Sequence, residues 1–158
     1  MKRAEEGGRG QDCIGVRRPT MIETHSIRLR GPWEFVVGGV SKRIRMPVRR
    51  ADVVGDDFRD RLTCQRKFGC PTCLDPHERV WLVIEMPARP GEATLNGLPL
   101  GPFHNTAKPT EFDITERLKE RNELVLDFDF VRPLFTAFSR DSAAGELLFK
   151  DVRLEIRG

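Results

Sequence analysis

The period-two alternation of apolar and polar residues constrains this chain more than any other feature of its sequence. In a strand, such alternation turns one face toward a core and the other toward water. In 152–156 Val, Leu and Ile alternate with Arg and Glu, and in 126–130 Leu and Phe alternate with Asp. Shorter stretches of the same kind lie at 27–30, 33–35 and 43–49. A continuous apolar run at 80–84 is typical of a strand covered on both faces. We therefore expect seven or eight short strands.

The turn and helix signals are sparse. Asn96-Gly97, between Leu95 and Leu98, is the strongest short hairpin signal in the chain. The single helical signal begins at Asp113, where Asp113 and Glu116 resemble a capping box, and Asn122 suits a left-handed stop after one or two turns. Together these features predict an all-β fold, an antiparallel β-sandwich with one short helical turn.

The length of 158 residues suits one folded domain. Residues 1–20 are rich in Gly and charge, so we expect a flexible N-terminal tail at 1–20 and a β-sandwich domain at 21–158. Met21 directly precedes the first patterned segment, which raises the hypothesis that it is the native start. No apolar run reaches the length of a membrane helix, and the first 20 residues contain no apolar signal core. We expect a soluble, cytoplasmic protein with no membrane partner.

Charge argues against nucleic acid as a partner. The formal net charge is +3, with 39% hydrophobic and 32% charged residues. About +2 of that charge lies in residues 1–20, which leaves the domain nearly neutral and without a concentrated basic footprint. One local basic run has two interpretations, a solvated strand face, which we favour, or a phosphate-binding patch. Its residues are Lys42, Arg43, Arg45, Arg49 and Arg50.

The order of the motifs resembles the sugar-binding domain of glycoside hydrolase family 2. The similarity covers about residues 26–157 and rests on six segments. These are Gly31–Phe35, Arg66–Phe68 with Pro71-Thr72, Val80–Glu85, Ala93–Gly101, Glu111–Thr115 followed by Asn122–Leu126, and Gly145–Val152. The matching residues belong to the scaffold, so they are informative about fold more than about ligand.

The resemblance implies a galactose-binding-domain-like jelly roll of two antiparallel sheets. In that family the two catalytic glutamates lie on a barrel domain that follows the sandwich, and this sequence shows no counterpart. The family's sandwich also contributes an acidic, Trp-containing loop to the sugar site, whereas the corresponding segment 136–144 contains Asp141 and no Trp. We therefore expect a non-catalytic module that resembles a carbohydrate-binding domain or serves protein interaction.

Loops held by a sandwich commonly carry its ligand contacts. We expect any carbohydrate to bind weakly at one end of the sandwich, near 104–108 or 139–142. The candidate ligand-binding residues are His104, Asn105, Lys108, Arg140 and Asp141. Trp33 and Trp81 lie in strand patterns, and we expect them in the core rather than as sugar-stacking platforms.

The cysteines offer a different hypothesis. Cys64, Cys70, Cys73 and His77 fall within fourteen residues, and three thiolates with an imidazole can complete a tetrahedral zinc site. A Cys70–Cys73 redox pair and unliganded thiols are the other interpretations, and we favour unliganded thiols with no cofactor. A zinc-stabilised interaction module and an accessory subunit of a glycoside hydrolase remain alternative functions. The oligomeric state is open, although exposed sheet edges permit self-association.

Overall fold

The computed structural model describes residues 24–55, 57–85, 87, 89–104, 106–131 and 147–158. The predicted tail at 1–20 lies outside these residues. Within them the chain forms ten strands, a four-residue helix α1 at Arg50–Val53 and a 3-10 turn at Thr115–Arg117. The strands are β1 His25–Arg28, β2 Trp33–Val37, β3 Val40–Ile44, β4 Arg61–Gly69, β5 Arg79–Glu85, β6 Gly91–Leu95, β7 Leu98–Phe103, β8 Thr110–Asp113, β9 Arg121–Asp129 and β10 Asp151–Arg157.

The strands form two antiparallel sheets. The larger has the order β3-β2-β4-β9-β6-β7 and the smaller has the order β1-β10-β5-β8. Long strands lie at the centre of each: β9 pairs with β4 over nine residue pairs, and β10 pairs with β5 over seven. This arrangement confirms the predicted all-β antiparallel sandwich.

The core lies between the sheets and follows from the alternation in sequence. In β9, Leu124, Leu126 and Phe128 are fully buried, while the residues between them are half-buried. Trp33 packs on Phe149 with ring centroids 5.4 Å apart, and Phe149 stacks on Phe128 at 5.9 Å. The Trp33 indole N–H donates to the carbonyl of Leu29 at 2.7 Å, so this buried polar group is satisfied. Trp33 is a core residue, as expected.

The β6–β7 hairpin confirms the turn prediction. Asn96 and Gly97 both have positive φ, 53° and 82°, which is what a type I′ turn requires. The sequence contains a second turn of this kind that we did not predict, because Gly38 and Gly39, also with positive φ, connect β2 to β3.

Two local predictions about 113–122 have different outcomes. Asp113 precedes the N-cap residue Ile114 and still caps one backbone N–H of the 3-10 turn, since its carboxylate accepts hydrogen bonds from the Thr115 N–H at 3.0 Å and hydroxyl at 2.7 Å. Asn122 is not a left-handed stop: it lies in β9, only 2% exposed, because its side chain satisfies backbone groups around it. Glu116 does not complete a capping box and instead pairs with Arg79 at 3.2 Å.

The segment 43–50 also differs from expectation. β3 ends at Ile44, so the alternation at 43–49 does not continue as one strand. The unpredicted helix α1 begins at Arg50, with Arg49 as its N-cap residue. Arg50 is 3% exposed and donates to the carbonyl of Gly55 at 3.0 Å. It therefore does not belong to a solvated face, whereas Lys42, Arg43 and Arg45 are exposed.

Candidate functional site

A cleft lies at one end of the smaller sheet, on the face turned away from the core. Its floor comes from neighbouring strands, because Glu85 at the end of β5 pairs with Asp151 at the start of β10. Arg28 of β1 is the cross-strand partner of Arg153. The segment 45–49 approaches the same end, where the Met46 N–H donates to the carbonyl of Arg30 at 2.8 Å. Residues far apart in sequence therefore meet here.

Arg153 organises the charges on this floor. Its guanidinium donates to Glu85 at 2.7 Å, to Asp151 at 3.1 Å and to Glu155 at 2.7 Å. The side chains of all four residues are between 13% and 21% exposed, so the network is largely shielded from water. A guanidinium with three carboxylate partners is a fixed group, and its position sets the shape of the cleft.

The protonation states follow from these contacts. Hydrogen bonds from Arg153 and then Lys150 lower the pKa of Glu85 below its usual value. Burial opposes ionisation of Glu155, but hydrogen bonds from Arg157 and Arg153 outweigh it and the pKa of Glu155 is lowered. Burial likewise opposes charge on Arg153, yet its hydrogen bonds to Glu85, Glu155 and Asp151 raise its pKa above the ordinary value. Glu85 and Glu155 are therefore anions at neutral pH.

The cleft has a volume of about 580 Å³, within the range of small-molecule sites. Four cationic and two anionic side chains line it, together with a hydroxyl and two apolar residues. The lining residues are Ser26, Arg28, Arg30, Met46, Pro47, Glu85, Lys150, Asp151 and Arg153. Lys150 lies 3.1 Å from Glu85, and Arg28 lies 4.0 Å from Asp151. The formal charge of the lining residues is +2, and it is +1 when Glu155, the further partner of Arg153, is counted, so the cleft is suited to an anionic group.

Trp81 occupies the same outer face and corrects one expectation. It is half-buried on β5 rather than part of the core, and the Arg157 guanidinium lies 4.9 Å from its ring centroid. Arg157 is held there by Glu111 at 2.8 Å and Glu155 at 2.6 Å. The alternation did not reveal this position because 80–84 is apolar throughout and both faces look alike.

The residues predicted for a loop site are only partly within the described chain. His104 and Lys108 are both exposed, and they lie on either side of a turn in which the Thr106 N–H donates to the carbonyl of His104 at 2.9 Å. Asn105, Arg140 and Asp141 lie outside the described residues. The proposed loop site stays a prediction.

The structure places the four residues of the zinc hypothesis in different environments. Cys64 is fully buried on β4, and burial, with the nearby charge of Asp127, raises the pKa of its thiol well above the usual value. Cys70 is a half-buried free thiol and His77 is exposed, whereas Cys73 is disulfide-bonded. The favoured interpretation of unliganded thiols is therefore wrong for Cys73. Among the described residues, which include these four, no group of three or more His, Cys, Asp or Glu side chains is arranged to hold a metal.

The cleft residues went unnoticed in the sequence for a simple reason. In the sequence, Glu85, Asp151 and Arg153 look like polar positions of ordinary strands, and Arg28 and Arg30 look like the polar positions of the alternating segment 27–30. A local signal did exist, namely that charged residues lie at 150, 151 and 153, around the start of one strand, while Glu85 ends another. Only the antiparallel pairing of β5 with β10 brings them together.

The two antiparallel sheets define the class of the protein as an all-β sandwich. No family model matches the chain. No curated protein is similar enough to count as a relative. In the part of the chain that the structure describes, no helix has the length and apolar character needed to cross a membrane.

Solved structures share the fold at low sequence identity. A β-glucuronidase from glycoside hydrolase family 2 matches 89% of this chain with a TM-score of 0.65 and 18% identity. A β-glucuronidase from Bacteroides uniformis matches 85% with a TM-score of 0.66 and 18% identity, and a putative β-galactosidase from Bacteroides fragilis matches 84% with 0.62 and 16%.

This chain spans only 18% of the length of each of the two β-glucuronidases and 23% of the β-galactosidase. The resemblance to the sugar-binding sandwich of family 2 is therefore confirmed as a resemblance of fold, limited to one portion of those enzymes.

Proposed function

We propose that this protein is a non-catalytic binding module whose ligand, a carbohydrate, occupies the cleft around Arg153. The observation that carries the proposal is the cleft itself, a cavity of small-molecule size with a rigid, hydrogen-bonded floor and an excess of cations. The fold, shared with one portion of several glycoside hydrolases, supports a carbohydrate as the ligand class.

The chemistry of the cleft supports binding over hydrolysis. Glycoside hydrolysis by paired carboxylates needs one carboxyl group that holds a proton at working pH, which requires a raised pKa. In the cleft, Glu85 has a lowered pKa and already accepts hydrogen bonds from Arg153 and Lys150. It is therefore a poor proton donor.

A protein ligand is the second candidate, and a specific feature favours it. β3 and β7 are the two edges of the larger sheet, and each begins with an exposed apolar residue, Val40 at 60% and Leu98 at 55%. Exposed sheet edges can pair with another chain. A partner at these edges, including a glycoside hydrolase that this protein accompanies, would leave the cleft free.

Hydrolysis is tested directly with chromogenic β-galactoside, β-glucuronide and β-mannoside substrates. We expect no turnover, because Glu85, with its lowered pKa, is a poor proton donor. Activity that survives repurification and disappears in Glu85→Gln would contradict a non-catalytic role.

The binding site is tested by NMR titration of the labelled protein with a mixed oligosaccharide panel. We expect shifts at residues of the cleft, such as Ser26 and Arg153, and none in the central segment of β9, which is committed to the core. Shifts that cluster at His104 and Lys108 instead would move the site to the loop predicted from sequence. Shifts restricted to Val40 and Leu98 in the presence of a protein partner would favour the second candidate.

A further inference from the structure

We infer that the cleft around Arg153 binds a saccharide unit that carries a carboxylate, a uronic acid residue. The inference rests on the proposed function and names its ligand class. It begins from charge, since the lining residues include four cations against two carboxylates.

The cations divide into two groups. Arg153 is 18% exposed and is saturated by Glu85, Asp151 and Glu155, so it supports the floor. The side chains of Arg28 and Lys150 are 59% and 61% exposed, and Arg30 is also an exposed residue. The Nε atom of Arg28 lies 4.0 Å from Oδ2 of Asp151, and this distance is too long for a hydrogen bond.

The two carboxylates of the cleft are already engaged by cations. Glu85 is held by Arg153 and Lys150, and Asp151 is held by Arg153. The two carboxylates are therefore too few to balance the charges of Arg28, Arg30 and Lys150 in addition to that of Arg153. A ligand carboxylate can accept a bidentate, charge-assisted pair of hydrogen bonds from an arginine head.

The other residues that line the cleft favour a saccharide over a simple anion as the ligand. Met46 and Pro47 present apolar surface that suits the C–H face of a sugar ring, and the Ser26 hydroxyl can donate to or accept from a sugar hydroxyl. A volume of about 580 Å³ is also much more than one inorganic anion fills.

The test compares glucuronate with glucose, which has the same ring but no charge, and with inorganic phosphate. Binding is measured by calorimetry and by NMR titration, for the wild-type protein, the double variant Arg28→Gln/Arg30→Gln and the control Arg43→Gln. Arg43 is an exposed arginine on β3 of the larger sheet and does not line the cleft, so the control removes one positive charge, half of the change in the double variant, from outside the lining. Melting temperatures of all variants verify that they fold.

We expect glucuronate to bind at least about tenfold more tightly than glucose, and the double variant to lose about tenfold in affinity. Arg43→Gln should change affinity less than about twofold, and added salt should weaken binding because the attraction is electrostatic. Equal affinity for glucose, equal affinity for phosphate, or an equal loss in the control would each overturn the inference.

Failure of this inference is distinguishable from failure of the proposed function. If a neutral oligosaccharide shifts the cleft resonances while glucuronate does not, the uronate assignment is wrong and the carbohydrate site remains. If no saccharide shifts them, both are overturned.

Discussion

At the scale of single residues, Asn122 shows how one buried amide can join three segments. Its Oδ1 accepts hydrogen bonds from the Lys119 N–H at 2.8 Å and from Asn96 Nδ2 at 3.0 Å, while its Nδ2 donates to the Lys119 carbonyl at 2.9 Å. Asn96 in turn accepts from the Glu123 N–H at 2.9 Å. The amide pair therefore ties the β6–β7 turn to the start of β9.

Asn122→Ala should destabilise the protein by roughly 1–2 kcal/mol, because it removes the side-chain partners of the part-buried backbone N–H and carbonyl of Lys119. The measurement is the free energy of unfolding in urea. Lys119→Ala is the control, since it removes an exposed side chain and keeps the backbone groups. Equal stability of Asn122→Ala and wild type would show that water replaces the amide without cost.

The Glu85–Arg153 contact makes a pH-dependent contribution to stability. The pKa of Glu85 is lowered in the folded protein, mainly by the Arg153 hydrogen bond. A lowered folded-state pKa stabilises the protein above the unfolded value of about 4.3, and this stabilisation is lost as the pH falls through the folded-state pKa.

Glu85→Gln should therefore cost about 1 kcal/mol at pH 7, and the difference from wild type should shrink below about pH 4. Urea unfolding at pH 7 and pH 3 measures both differences. Glu120→Gln, which changes an exposed carboxylate, is the control. A cost that is the same at both pH values would mean that Glu85 acts through packing rather than charge.

At the scale of elements, β6 depends on a glycine where it meets β9. A Cβ built on Gly91 would lie 1.9 Å from the Asp127 carbonyl oxygen and 2.6 Å from the Phe103 ring. Neither atom can move easily, since one belongs to the backbone of the central strand and the other is fully buried. The close approach of β6 to β9 therefore requires glycine at this position.

Gly91→Ala should destabilise the protein by about 3 kcal/mol or more, because the strands must separate to admit the methyl group. Gly69→Ala is a matched control at the end of β4, where the nearest atom would lie 4.0 Å away. Thermal unfolding of the two variants compares them, and a small loss in Gly91→Ala would show that β6 can shift without breaking its pairing.

At the scale of the whole molecule, the buried core leads us to expect that the protein folds without a metal. Aromatic and aliphatic side chains from both sheets form one continuous buried cluster. Cys64 belongs to that cluster, and its thiol, with a raised pKa, is a poor source of the thiolate that zinc needs.

We expect protein purified without a His tag to contain well under one zinc per chain, and a chelator to leave the melting temperature unchanged. Elemental analysis and melts with and without chelator measure these quantities. Cys70→Ser should also melt like the wild type. A ratio near one zinc per chain, lost together with stability in Cys70→Ser, would revive the zinc-stabilised module.

The sequence alone was enough for the sandwich, because strand alternation and the Asn96-Gly97 turn depend on residues that are neighbours in the chain. The cap at Asp113 was predictable for the same reason. The sequence alone did not predict the positions of Trp81 and Asn122. An apolar run does not indicate which of its side chains face outward, so Trp81 was expected in the core. An asparagine is common both in turns and in buried hydrogen bonds, so the role of Asn122 was not evident.

Which residues form the cleft could be determined only from the tertiary structure. Residues 26–30, 46–47, 85 and 150–153 carry no common local pattern, and they meet because β10 lies between β1 and β5 and the segment after β3 approaches the same end. Pairing between strands distant in sequence depends on how the whole core packs, and the charges of the cleft acquire their arrangement from that packing rather than from their spacing in the chain.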